Sequence, residues 1–354
     1  MLTRGAVAVA VILALSVVAV GQSDAAKPDA VSDTATVPQK VAADPAPAIA
    51  PYLGSRKGAV SLTFDDGFRK EVEDAAEILD ACGLKGTFFL IPIRMADPKG
   101  SAMTVTWKRA KELMAEGHEM GTHGAIAPKL HEADAETLDQ LVNGSWQLIK
   151  ENTGVAPVSY ALPGGSRADK RVMAIISEHH YFIRKPTLLP GASIMGYGNA
   201  GKRKWSDEQT RKAILATRDA GGWHIAVIHS IVGGYAPFAS KDEFRGHCQW
   251  LKSQEDTIWV APMGVIGRYV KARQAATLKV IEQKADSVRF TVSSDLKPAE
   301  VFQVPLTIVI PAAGATKAVA TQGDRPAPKV TIKDGNILVD VLPDGTETTV
   351  TWTK

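Results

Sequence analysis

Between residues 58 and 274, short apolar runs alternate with stretches of helical spacing. Residues 59–64 form a largely apolar run that stops at Asp65-Asp66-Gly67, which predicts a buried strand ending in a turn. Ala75, Ile78, Leu79 and Cys82 follow at helical spacing, so a helix is expected over 71–81, closed by Gly83. The same reading predicts strands at 86–91, 119–122, 158–162 and 225–229, and helices at 106–116, 136–153, 170–178, 207–220 and 240–253, with a further apolar segment at 258–273. Strands separated by helices of about ten residues imply an α/β unit of parallel strands with helices packed outside, in a barrel or an open sheet. Polar residues that end such strands gather at one rim, which makes them the first candidates for a site.

Past residue 274 the period falls to two. Segments 277–282, 287–293, 305–310, 329–332, 337–341 and 348–352 are short, β-branched and divided by turns such as Asp334-Gly335-Asn336 and Asp344-Gly345. They predict a small all-β, sandwich-like module over 275–354, in series with the α/β unit over 58–274. The module contains no histidine or cysteine, so it is expected to supply neither a histidine ligand nor a histidine acid. At the other end, residues 22–57 are rich in Ala, Pro, Asp and Val without periodicity and read as a flexible linker. Arg4, the uncharged run from Ala6 to Val20 and the small residues Gly21, Ser23, Ala25 and Ala26 read as a cleavable signal peptide over 1–21. Its apolar run is shorter than the roughly 20 residues a membrane-spanning helix needs, so a secreted or periplasmic protein with no membrane span after cleavage is expected.

The 354 residues, 45% hydrophobic and 22% charged, are ordinary globular material, enough for one large domain and a smaller one. A formal charge of +3 is spread along the chain, and Lys202-Arg203-Lys204 and Lys108-Arg109 are too short to follow a phosphate backbone, so no nucleic-acid partner is expected. Cys82 and Cys248 are too few for a disulfide framework, and the core must carry the fold. Cys82 lies in an apolar helix and reads as a buried free thiol, although the sequence alone does not decide whether the two pair. There is no internal repeat.

Asp65 and Asp66 are adjacent carboxylates at a strand end, a place where packing does not call for them. They are followed by Gly117-His118-Glu119-Met120-Gly121-Thr122-His123-Gly124, by Tyr160-Ala161-Leu162-Pro163-Gly164-Gly165 and by Ile225-Ala226-Val227-Ile228-His229-Ser230. In this order the four segments resemble the motifs of the polysaccharide deacetylase family, the NodB-homology domain, over roughly residues 58–273. The resemblance implies a distorted (β/α) barrel that binds a divalent metal, commonly zinc, and hydrolyses an N- or O-acetyl group on an acetylated carbohydrate. Carried over by position, Asp65 is the general base, Asp66 and His123 are metal ligands, and His229 is the general acid. The chemistry is coherent, because an acetyl carbonyl needs Lewis-acid polarisation and activated water while one carboxylate takes the proton.

His118, which precedes its strand, reads as structural, and so do His131, His179, His180, His224 and His247. Trp223 fits either core packing or stacking on a sugar. Three positions depart from the family pattern. Ala127 stands before Pro128 where the family offers a second histidine ligand; Ala161 stands where the third motif often has an arginine that orients the base; Gly164 replaces a tyrosine, leaving its N–H as the possible oxyanion donor. Ala127 divides two readings: an exported metal-dependent carbohydrate deacetylase, or a weakly active or non-catalytic glycan-binding descendant. His131 is the nearest replacement ligand, but Pro128 argues against one helix presenting it with His123.

Overall fold

The structure, a computed structural model, describes residues 45–96, 102–125, 127–185, 191–196, 206–232 and 238–354. The signal-peptide reading of 1–21 and most of the linker lie outside the described residues. β1 (Ala48–Ile49) and a 3-10 turn (Leu53–Ser55) lead into β2 (Gly58–Phe64), whose seven residues are all buried. Burial on both faces explains why this strand reads as a continuous apolar run rather than an alternation. α1 (Arg69–Ala81) turns Val72, Ala75, Ala76, Ile78 and Leu79 inward, each of the larger ones contributing about 1.5–3 kcal/mol on burial. β3 (Thr87–Leu90), α2 (Pro92–Ala96), α3 (Trp107–Ala115) and β4 (Glu119–Thr122) follow. The helix predicted over 136–153 is α4 (Ala135–Asp139) and α5 (Ser145–Thr153), joined through a π-helical turn at Gln140–Gly144.

β5 (Ser159–Tyr160), α6 (Lys170–Ser177), β6 (Phe182–Ile183), β7 (Ala192–Gly196), α7 (Asp207–Asp219), β8 (Trp223–Ile228), α8 (Lys241–Ser253), β9 (Ile258–Val260) and α9 (Met263–Ala275) complete the α/β unit. Its sheet runs β6-β5-β4-β3-β2-β8-β7 with every pair parallel, and β9 also pairs with β2. β3 meets β2 at Thr63–Phe64 and β9 meets it at Gly58–Val60, so β2 is shared along its length by two strands. The result is a curled half-barrel with helices outside, the distorted barrel that the family resemblance implied.

β10 (Thr277–Lys284), β11 (Ser287–Ser293), α10 (Ala299–Phe302), β12 (Leu306–Pro311), β13 (Lys317–Gln322), β14 (Lys329–Lys333), β15 (Asn336–Val341) and β16 (Asp344–Thr353) build two four-stranded antiparallel sheets, β1-β12-β15-β14 and β10-β11-β16-β13. Phe290, Ile308, Val339 and Val350 pack in the core they share. The sandwich includes β1, so the linker expected over 22–57 is too long at its C-terminal end. Ala48 and Ile49 pair with Val309 and Ile308, and Tyr52 is buried; β-pairing and burial of an aromatic ring override a composition that reads as linker. Asp44–Lys354 form one compact unit. Contacts to the sandwich fall at the N-terminal ends of the barrel strands, where Lys333 pairs with Asp256 at 2.9 Å and the Tyr269 hydroxyl donates to the Ala50 carbonyl at 3.0 Å.

Candidate active site

The opposite, C-terminal rim of the barrel collects the polar strand ends. Asp65 continues β2 by one residue, its N–H donating to the Ile228 carbonyl of β8 at 2.9 Å. Asp66 then leaves the sheet with φ 73°, a left-handed conformation that costs a non-glycine residue, and Gly67 follows at 65°. The reversal leaves no room behind it, since a Cβ on Gly67 would stand 2.9 Å from Leu90 Cδ2.

His123 leaves β4 at the same level, its N–H bonded to the Leu90 carbonyl at 2.8 Å. Its Nδ1–H donates to the Ala161 carbonyl at 2.9 Å, which leaves the lone pair on Nε2. That atom faces Asp66 Oδ1 at 3.7 Å and Asp65 Oδ2 at 3.9 Å. His229, at the end of β8, brings its Nε2 to 3.8 Å from the same Asp65 oxygen, and its side chain is 41% exposed at the mouth. The four residues singled out from the sequence therefore meet in one place.

A fifth residue, unforeseen from the sequence, holds Asp65 in place. Arg184 follows β6 and grips Asp65 with both ends of its guanidinium, Nη1 to Oδ1 at 2.7 Å and Nη2 to Oδ2 at 2.5 Å, while Nη1 also donates to Thr63 Oγ1 at 2.8 Å. The cation lies over the Phe89 ring at 4.9 Å. Burial by itself raises the Asp65 carboxyl, but Arg184, His123 and His229 together outweigh it and hold it below the usual carboxylate range. Asp65 is therefore an anion at neutral pH, fixed in orientation.

Residues 54–182 match the family model for polysaccharide deacetylase. That stretch belongs to the polysaccharide deacetylase family. Asp65, Asp66, His123 and Ala161 lie inside it, while Arg184 and His229 lie beyond. A curated relative, gellan lyase from a Bacillus species, is 28% identical over 334 residues; the alignment covers 84% of this chain but only 13% of that protein. Among solved structures, a candidate polysaccharide deacetylase from Mycobacterium smegmatis aligns with TM-score 0.49 at 18% identity, covering 64% of this chain and 94% of that one. The peptidoglycan deacetylase PdaC from Bacillus subtilis aligns with TM-score 0.41 at 21% identity, covering 61% and 93%.

Polysaccharide deacetylases hold a divalent ion, and the donor set here fits one in part. Bonds of roughly 2.0–2.2 Å to Asp66 Oδ1 and His123 Nε2 span a separation near the 3.7 Å found, and a histidine whose Nδ1–H is tied to a carbonyl is prepared as a ligand. No group of three or more His, Cys, Asp or Glu placed for a metal exists among the described residues. Ala127 is exposed and offers no donor atom. His131 does not replace it, for its Nδ1 accepts the Arg167 N–H at 3.1 Å and its Nε2 stands 3.7 Å from Glu132.

The remaining histidines are structural. His118 accepts the Gly86 N–H and donates to Asp80, and burial lowers its pKa. Burial holds His180 down to about 3 and His224 to about 4, so both are neutral. His179 stacks on Trp146, and His247 bonds Asp207. Trp223 is buried, its indole N–H donating to Ser61 Oγ at 3.1 Å, so it packs the core and does not face a sugar.

Proposed function

We propose that this chain is an exported, metal-dependent deacetylase that hydrolyses an N- or O-linked acetyl group on a glycan. The observation that carries the reading is the meeting of Asp65, Asp66, His123 and His229 at one rim, where His123 stands 3.7 Å from Asp66 and 3.9 Å from Asp65, and His229 stands 3.8 Å from Asp65. Asp66 Oδ1 and His123 Nε2 would hold the ion, zinc by the chemistry of the pair, and the ion would polarise the acyl carbonyl and activate water. Asp65 Oδ2 takes the proton of that water. Arg184 keeps the oxygen ionised and immobile, at the expense of some basicity. His229, on the same oxygen and open to solvent, hands a proton from Nε2 to the departing amine or alkoxide. The leader-like run at 6–20 supports action outside the cytoplasm, and the likeness to a gellan lyase supports a polysaccharide substrate.

A second reading, a glycan-binding protein with little or no catalysis, is favoured by Ala127 and the absence of a third ligand among the described residues. Acetate release from acetylated oligosaccharides separates the two. The enzyme reading expects release that rises as zinc is added to dialysed full-length protein and is lost in Asp65→Asn. Glycan binding with no acetate release at any zinc level would transfer the conclusion to the second reading.

A further inference from the structure

Two thiols with no part in the site lie together on the outside of the barrel. β2 and β8 are neighbours in the sheet, and the helices that follow them, α1 and α8, pack side by side. Cys82 is the C-terminal cap of α1, and Cys248 lies on the buried face of α8 with Phe244 and Leu251. A Cβ on Gly83 would stand 4.0 Å from Lys252 Cε, one helical turn past Cys248, so the end of α1 abuts this part of α8. Cys82 packs on the apolar cluster that contains Cys248. They are the chain's only cysteines, and both are free. Cys82 is half-buried, so a small oxidant reaches it from solvent, while Cys248 is sealed behind it.

We propose that Cys82 and Cys248 are a disulfide-forming pair that closes in an oxidising compartment and ties α1 to α8. The cellular half of this statement rests on the export reading; the chemistry does not. The oxidant is a small-molecule disulfide of the glutathione class. The Cys82 thiolate attacks one of its sulfurs and expels a thiolate, then the Cys248 thiolate attacks Cys82 Sγ and expels the second. One S–S bond forms and one breaks; two cysteine thiols are oxidised, the reagent is reduced to two thiols, and the two protons leave with them. Burial pushes both thiols up, so the reaction quickens in mildly alkaline buffer. The bond ties together the helices that follow the two strands ending in Asp65-Asp66 and His229, at the end of α1 away from the rim.

Reduced full-length protein treated with oxidised glutathione in mildly alkaline buffer provides the test. The expected product has lost both thiols, is lighter by two hydrogens, yields a cross-linked peptide containing Cys82 and Cys248 under non-reducing digestion, and melts roughly 5 °C higher than the reduced form. Cys82→Ser should abolish the oxidant-induced rise. Two thiols that stay free, separate glutathione adducts on each cysteine, or a bridge between two copies of the chain would each overturn the proposal. The mass and peptide readouts use the unmodified sequence, so they stand even if the serine variant fails to fold.

Discussion

Replacing Arg184 by methionine removes the charge while keeping much of the side-chain volume, and the structure sets the size of the effect. Arg184 and Asp65 are 6% and 3% exposed, so water does not screen the pair or take its place. Deleting the cation strands a buried carboxylate, a change that costs about 3–5 kcal/mol, and the lost bond to Thr63 adds about 1 kcal/mol. The pH dependence carries the sharper signature. In the wild type the Asp65 pKa is depressed below its ordinary 3.8, so its contribution to stability is fully present above that value and is lost as pH falls through the folded value. In Arg184→Met, burial acts against only the two histidines and the pKa moves upward. The variant's folded state then takes up a proton, and its deficit relative to the wild type shrinks on acidification. Urea unfolding of both proteins at a series of pH values measures this directly. A deficit under about 1 kcal/mol at neutral pH, or one of constant size across the acid range, would refute the account of Arg184. The double variant Arg184→Met/Asp65→Asn should recover most of the loss, because no buried charge remains.

Ala127→His should raise zinc occupancy of dialysed protein by roughly tenfold or more, read by elemental analysis, since it restores a third ligand; stoichiometric zinc in the dialysed wild type would show that Ala127 was misjudged. Gly67→Ala should cost about 1–3 kcal/mol in thermal or urea denaturation, because φ is 65° and the new methyl meets Leu90; a loss of only a few tenths would mean that the turn after Asp66 relaxes freely.

The barrel and most of its rim were legible because their signals are local. A continuous apolar run stopped by Asp65-Asp66-Gly67 announces a buried strand and its polar end, and His123 and His229 close comparable strands. Arg184 gave no such signal. It follows a strand of two residues, Phe182–Ile183, too short to show a period, and its partner lies 119 positions earlier in the chain. The only hint was a cation directly after the apolar run Tyr181-Phe182-Ile183. β13 was missed because its Lys, Ala and Thr residues carry little apolar contrast, with Val319 56% exposed. β1 was hidden by distance, since two residues become a strand only through a partner some 260 positions away.

That early pairing makes the barrel an insertion. Ala48–Ile49 belongs to the same sheet as β12, β15 and β14, so the sandwich is assembled from segments on both sides of the barrel in sequence. A fragment cut after α9 would carry an orphaned strand, with Tyr269 still reaching for the Ala50 carbonyl on a segment that had lost its sheet. Isolating either half requires two cuts rather than one, and the sandwich would need residues 45–57 joined to 275–354 by a short bridge. Entry to and exit from the barrel both fall at the N-terminal ends of its strands. Loops on the far rim can therefore lengthen, shorten or exchange residues such as Ala127 without disturbing the junction that holds the two halves together.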